Sequence, residues 1–331
     1  MTLNDSVQTI NKLLASGKGI LAMDASNPTM TKRMEAVGIT STPGSRRDFR
    51  ELLITTPGLS EYISGAILYD ETLRQKAQGK LFTQVLEEKG IIPGIKVDKG
   101  VKDMAGFPGE KIAEGVDGLR ERLAEYKEMG AKFTKFRTVI TIGSDIPTRV
   151  CLEDNAFIQA YQAVLAQEAG LIPIIEPEVL MEGDHNIERC EEVTRTNLKM
   201  IFVKLTDHKV DLTKIILKTN MVLPGDKSGQ QHSNEEIAEL TLRVLKECVP
   251  AEVPGIVFLS GGDSATDITQ HLNAIAKMEK NLPWRITFSF ERALEGPAME
   301  IWAGKSENKM KAQAVLLERA KANSLASNGQ L

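Results

Sequence analysis

Short apolar runs recur along the chain, several of them carrying or ending in an ionisable residue, and amphipathic segments fill the intervals between them. Residues 4–16 follow a helical period and stop at Gly17 and Gly19; the next run, 19–24, reads as a strand ending in Asp24. Helical segments near 28–37 and 45–56 precede a second strand at 65–70, and a shorter helical piece leads to a third at 94–98. A helix over 117–129, closed by Gly130, comes before a fourth strand at 133–139. A helix at about 155–169, closed by Gly170, comes before a fifth at 171–178. A long helical stretch near 185–206 leads to the sixth, 215–222. Ser233 with Glu236 three residues on forms a capping box for a helix to about 248, after which 255–260 and 285–290 complete a set of eight strands. The closing segment, 307–325, is helical and rich in Ala, Lys and Glu.

Eight short apolar strands separated by helices predict an α/β protein with a closed parallel (β/α)₈ (TIM) barrel, as a single domain over 1–331. A doubly wound open sheet is the alternative. Its nucleotide-binding versions lack their usual marks here, with no GxGxxG after the first strand and no GxxxxGK[ST]. No repeat of 20–50 residues, low-complexity stretch or linker divides the chain.

Composition narrows the function classes. A net charge of −4 argues against a general nucleic-acid or membrane-surface binder, so any anion site must be local. Cys151, Cys190 and Cys248 are an odd, widely spaced set, as expected for reduced thiols in a cytoplasmic protein without a disulfide framework. No apolar run approaches the roughly 18 residues of a membrane span, and the N-terminus begins with a polar amphipathic segment rather than a signal peptide. His185, His208, His232 and His271 form no ligand cluster, which disfavours a metal enzyme.

The candidate chemistry begins with Lys218, an ammonium in the middle of the apolar sixth strand. Alternation puts Ile216, Lys218 and Asn220 on one face and Leu217, Thr219 and Met221 on the other. A strand-end lysine reaching solvent by its stem is the plain alternative. Barrel enzymes, however, keep their chemistry at the C-terminal ends of strands, and Asp24, Lys96, Lys135 with Arg137, Glu176 with Glu178, and Lys218 all fall there. Members of an i, i+2 pair share a face, so each such pair points into one pocket. Clustered cations are expected to lower one another's proton affinity and leave a neutral amine able to attack a ketone, with a carboxylic acid beside it to shuttle protons. Spacing alone does not say which of the three lysines is the nucleophile. Ser260-Gly261-Gly262-Asp263-Ser264 follows the seventh strand and offers backbone N–H groups where barrels often hold phosphate. Arg292 after the eighth strand and Lys32 and Arg33 after the first add cations for a phosphorylated substrate.

Taken together, GKGILAMD, RRDFRELLITTP, GIKVDKG, KFRTVITIG, IPIIEPEVLMEGDH, ILKTNMV, VFLSGG, LPWRITFS and RAKANSLASNG resemble class I fructose-1,6-bisphosphate aldolase from about Gly17 to Asn328. The resemblance implies a metal-independent, cofactor-free enzyme that splits fructose 1,6-bisphosphate into dihydroxyacetone phosphate and glyceraldehyde 3-phosphate and condenses them in reverse, in glycolysis and gluconeogenesis. It also implies a homo-oligomer, most often a tetramer. By resemblance Lys218 is the Schiff-base lysine, Glu176 the main proton shuttle, and Glu178 the residue that orients and tunes Lys218. Asp24 and Lys135 would position the substrate hydroxyls and help deprotonate the C4 hydroxyl, with Lys96 and Arg137 as polar neighbours. Ser260, Gly261 and Arg292 would hold the ketone-side phosphate; Lys32 and Arg33, with Thr29 in the same loop where a serine is common, would hold the other. The sequence departs from the family pattern at Ala25, where an acid is usual, and at Asp263, where glutamine is usual. Phe290-Glu291-Arg292 stands in place of Tyr-Gly-Arg, and the C-terminal tyrosine of longer members is missing. An imine-forming aldolase for another sugar bisphosphate, such as sedoheptulose 1,7-bisphosphate, is the nearest rival, and a barrel serving as a non-catalytic scaffold is the rival from a different class.

Overall fold

The computed structural model describes residues 3–77 and 79–331, and the expected barrel is present. Eight strands pair in parallel in the order of the sequence: β1 (Gly19–Met23), β2 (Ile63–Leu68), β3 (Ile92–Lys96), β4 (Phe133–Ile140), β5 (Ile172–Val179), β6 (Ile216–Thr219), β7 (Gly255–Phe258) and β8 (Arg285–Phe288). Strand β8 returns to β1, where the Ala22 N–H donates to the Phe290 carbonyl at 3.0 Å and the Thr287 hydroxyl donates to the Lys18 carbonyl at 2.7 Å. Helices α1 (Leu3–Leu13), α2 (Asn27–Ala36), α3 (Pro43–Ile54), α4 (Phe82–Glu88), α5 (Leu119–Glu128), α6 (Arg149–Glu168), α7 (Ile187–Asp207), α8 (Asn234–Cys248), α9 (Asp267–Met278), α10 (Arg292–Trp302) and α11 (Lys309–Ser327) surround the sheet.

The period-2 rule explains how one sheet carries both an apolar core and a charged site. On the inward face, Ile20 and Ala22 precede Asp24; Phe133 precedes Lys135 and Arg137; Ile172 and Ile174 precede Glu176 and Glu178; and Ile216 precedes Lys218. Each strand thus contributes apolar side chains to the lower barrel and polar ones to its C-terminal rim. The lower interior is closed by α1, whose Ile10 and Leu13, with Leu14 just after it, join Ile20, Ile67, Phe133 and Val257 in one buried cluster. Glycines at strand starts make room for these bulky groups. A Cβ at Gly94 would lie 2.3 Å from the Phe133 ring, one at Gly65 2.5 Å from Leu13, and one at Gly255 2.5 Å from Leu14. Gly94→Ala is therefore expected to lower stability by about 1–3 kcal/mol or more through overpacking, read as a fall in the urea midpoint. An unchanged midpoint would mean that the floor repacks freely.

Several local expectations change. Helix α6 starts at Arg149 rather than near 155, because the Thr148 hydroxyl accepts the Cys151 N–H at 3.2 Å and sets the cap earlier. The loop after β3 contains a short antiparallel hairpin, Val101–Asp103 with Lys111–Ala113, and Lys76–Ala77 pairs with Lys80–Leu81. Strand β6 ends at Thr219, so alternation stops there. Asn220 does not share the face of Lys218; its side chain accepts the Val179 N–H at 2.9 Å and donates to the Thr194 hydroxyl at 3.2 Å. No helix among the described residues is long and apolar enough to cross a membrane.

Candidate active site

The C-terminal rim of the barrel opens into a cavity of about 380 Å³, a size ordinary for a small-ligand site. Its lining includes six cationic and five carboxylate side chains. Asp24, Thr29, Arg33, Lys96, Lys135, Arg137, Glu176, Glu178, Lys218, Ser260, Gly261 and Arg292, all singled out in the sequence, line it. Lys32 does not; it lies exposed on α2, one residue from Arg33 but on a different side of the helix. None of the four histidines or four tyrosines lines the cavity.

The centre is a chain of alternating charges. Lys218 Nζ lies 3.0 Å from Glu176 Oε1; Lys135 Nζ lies 2.8 Å from Glu176 Oε2 and 2.7 Å from Asp24 Oδ2. All four side chains are buried. Strands β4 and β5 hold theirs in unbroken register, Lys135 opposite Ile174 and Arg137 opposite Glu176. Lys96 is paired with Asp98 at 2.5 Å, and Arg137 Nε donates to Glu178 Oε2. Glu178, expected beside Lys218, has Arg137 as its ion-pair partner.

Desolvation is costly for every charge here, and the pairing decides the outcome. Burial pushes the Glu176 carboxyl up, but the charges of Lys135, Lys218 and Arg137 outweigh it and hold the group down at about 2. Asp24 is pushed up by burial and, more strongly overall, held below the usual carboxylate range by Lys135 and Lys218. Lys135 reverses the expectation that clustered cations deprotonate one another. Burial lowers its proton affinity, yet Asp24, Glu176 and Asp98 raise it well above the ordinary lysine range. The acids win because they stand between the cations.

One part of the cavity lining is built by two loops. After β7 the chain turns through Gly261 and Gly262, at φ of 56° and 111°, conformations that suit glycine. The Asp263 N–H closes the turn on the Ser260 carbonyl at 3.1 Å, and the Gly261 N–H finds no acceptor among the described residues. The Ser264 hydroxyl accepts the Asp267 N–H at 3.0 Å, at the start of α9. After β8, Arg292 opens α10 with its guanidinium over Gly262, and no carboxylate pairs with it among the described residues. The buried Ser289 hydroxyl also lines the cavity without a hydrogen-bond partner. A second cation, Arg33, is fully engaged: its Nη1 lies 2.9 Å from Glu291 Oε1 and 2.8 Å from Glu295 Oε1, and its Nη2 lies 3.0 Å from Glu291 Oε2.

Asp98, Ser289 and Glu295 escaped sequence reasoning. Asp98 was within reach, since it follows Lys96 at the i, i+2 spacing used for the other pairs; Glu295 sits in a helix the strand pattern did not predict. Burial raises the Glu295 carboxyl, Glu291 adds to the rise, and Arg33 and Arg50 offset it only in part, leaving it at about 8 against an ordinary 4.5. The folded state therefore keeps a proton that the unfolded state releases, so this group costs stability as pH rises from about 4.5 to about 8 and no further beyond. Glu295→Gln keeps an acceptor for Arg33 and removes the titration. The variant should gain on the parent between pH 5 and pH 8, on the order of a few kcal/mol, in urea denaturation at the two pH values. Parallel responses in the two proteins would contradict the buried proton.

Comparison with known proteins agrees with this arrangement. The family model of class-I fructose-bisphosphate aldolase matches residues 5–331. The chain is 50% identical to the "Probable fructose-bisphosphate aldolase class 1" of Xanthomonas campestris pv. campestris, covering 100% of this chain and 99% of that one. It is 49% identical to "Fructose-bisphosphate aldolase 4, cytosolic" of Arabidopsis thaliana, over 95% of this chain and 80% of the relative. Among solved structures, fructose-bisphosphate aldolase from Plasmodium falciparum, in complex with TRAP and a small-molecule inhibitor, superposes with a TM-score of 0.96 at 42% identity, covering 99% and 95% of the two chains. The full-length matches, the barrel and the family motifs agree, and the chain belongs to the class I fructose-bisphosphate aldolases, a family of carbon–carbon lyases.

Proposed function

We propose that the protein cleaves fructose 1,6-bisphosphate reversibly into dihydroxyacetone phosphate and glyceraldehyde 3-phosphate through an imine on Lys218. The observation that carries this reading is the Lys218–Glu176–Lys135–Asp24 chain, buried at the rim of the barrel. It favours Lys218 among the three lysines. Lys135 is clamped between two carboxylates that keep its proton, and Lys96 is tied to Asp98 at 2.5 Å; Lys218 shares one carboxylate, which stands ready as its base.

The sequence of steps follows from those contacts. Glu176, resting as the carboxylate, takes a proton from the Lys218 ammonium and passes it to the C2 carbonyl oxygen as the freed nitrogen attacks, giving the carbinolamine. Glu176 then carries a second proton from that nitrogen to the C2 hydroxyl, which leaves as water, and a protonated imine forms. Asp24, with Lys135 holding the C4 hydroxyl beside it, takes the C4 hydroxyl proton; the C3–C4 bond breaks, its electrons flow into the imine, and the aldehyde leaves. Protonation of the enamine at C3 and addition of water release dihydroxyacetone phosphate. Arg137, paired to Glu178, keeps a positive field over Glu176 that favours its return to the carboxylate.

The Arg292 guanidinium, without a carboxylate partner among the described residues, the Gly261 N–H and the Ser260 and Ser289 hydroxyls support binding of the ketone-side phosphate. Thr29 and Arg33 belong to the same lining and would hold the second phosphate. A cytoplasmic homo-oligomer, with a tetramer expected from the family resemblance, acting in glycolysis and gluconeogenesis, completes the reading; sedimentation velocity tests the assembly. The chemistry is tested by borohydride reduction with dihydroxyacetone phosphate in EDTA, followed by peptide mapping. A stable adduct on Lys218 is the expected result, and a folded protein that forms none would remove the imine from this account.

A further inference from the structure

The two arginines on the cavity lining that the sequence suggests for phosphate binding differ in one respect. Arg292 has no carboxylate partner among the described residues, whereas Arg33 is gripped by Glu291 in a two-pronged contact, 2.9 Å and 3.0 Å, and by Glu295 at 2.8 Å. The Glu291 carboxylate presents to Arg33 what a phosphate would present, two oxygens matched to the guanidinium fork. It also lines the same cavity from the residue just before α10, so ligand and Glu291 compete for one face of the arginine. The proton that burial retains on Glu295 leaves Glu291 as the charged competitor.

We propose that Glu291 is a specificity-determining residue: an internal carboxylate that occupies Arg33 in place of the phosphate remote from the ketone, so that the site recognises the ketone-side phosphate strongly and the remote one weakly. This rests on the imine reading for the placement of the two phosphates. A ketose bisphosphate has to displace Glu291 from Arg33 to gain its second phosphate contact, and a ketose 1-phosphate does not. Glu291 is about one-quarter exposed, which gives it room to swing toward solvent when displaced. Discrimination between the two substrate classes is correspondingly small in the parent protein.

The test compares kcat/KM for fructose 1,6-bisphosphate and fructose 1-phosphate in the parent, in Glu291→Gly, which vacates the position, and in Glu291→Gln, which keeps its shape without charge. The ratio of bisphosphate to monophosphate kcat/KM is expected to rise about tenfold or more in Glu291→Gly, mainly through a lower KM for the bisphosphate, and by less in Glu291→Gln. A ratio within about twofold of the parent in both variants, with folding verified by circular dichroism, would overturn the proposal. Borohydride trapping of the parent with dihydroxyacetone phosphate is run alongside. Loss of that adduct would overturn the imine reading alone, because the substrate ratio is a kinetic quantity that stands whichever covalent route the cleavage takes.

Discussion

Lys218→Met loses cleavage by on the order of 10⁴-fold or more in kcat/KM, because the covalent intermediate cannot form and no neighbouring amine stands in the same place. Lys135 cannot substitute: Asp24 and Glu176 hold its proton, and it pairs across β4 and β5 rather than projecting from β6. Methionine fills most of the volume of the lysine stem, and Glu176 retains Lys135 as a partner, so the variant should fold. The measurements are steady-state cleavage of fructose 1,6-bisphosphate and the borohydride adduct with dihydroxyacetone phosphate, both against the far-ultraviolet circular dichroism of the parent. Residual activity within tenfold of the parent would show that the nucleophile lies elsewhere.

Glu176→Gln keeps the shape of the side chain and abolishes its proton transfer, and kcat should fall by about 10²–10⁴. Because Glu176 serves both the attack and the dehydration, the fall should appear in the rate of adduct accumulation as well as in turnover. The parent carboxyl sits at about 2, so Glu176 is a carboxylate through the whole neutral range and enters the reaction as a base. Its depressed value also contributes stability that is present above about 4.5 and lost as pH falls toward 2, a window in which the variant should lose less than the parent. A kcat within threefold of the parent would show that water, not Glu176, carries the proton.

Much of the site was legible because barrels impose a simple rule on sequence. An ionisable residue one or two places past an apolar inward position, repeated on several strands, has nowhere to go but the rim. That rule found Asp24, Lys96, Lys135, Arg137, Glu176, Glu178 and Lys218, all on the cavity lining. It failed where backbone geometry changes. Asn220 left the expected face because β6 ends one residue earlier, and Lys32 turned away because helix α2 separates neighbours by about 100°. Partner choice was less legible still. Glu178 bonds Arg137 and Glu291 bonds Arg33, pairings between residues 41 and 258 positions apart that no local pattern encodes.

The floor of the barrel also bears on how the chain is made. Leu14 packs against Gly255, so its segment waits during synthesis for one roughly 240 residues behind it. Until β7 is out, the apolar stripe of Ile10, Leu13 and Leu14 lacks Val257 and the wall at Gly255 that complete its cluster. The nascent chain therefore carries this apolar segment incompletely covered until β7 and β8 have emerged, and only then does the barrel close from below.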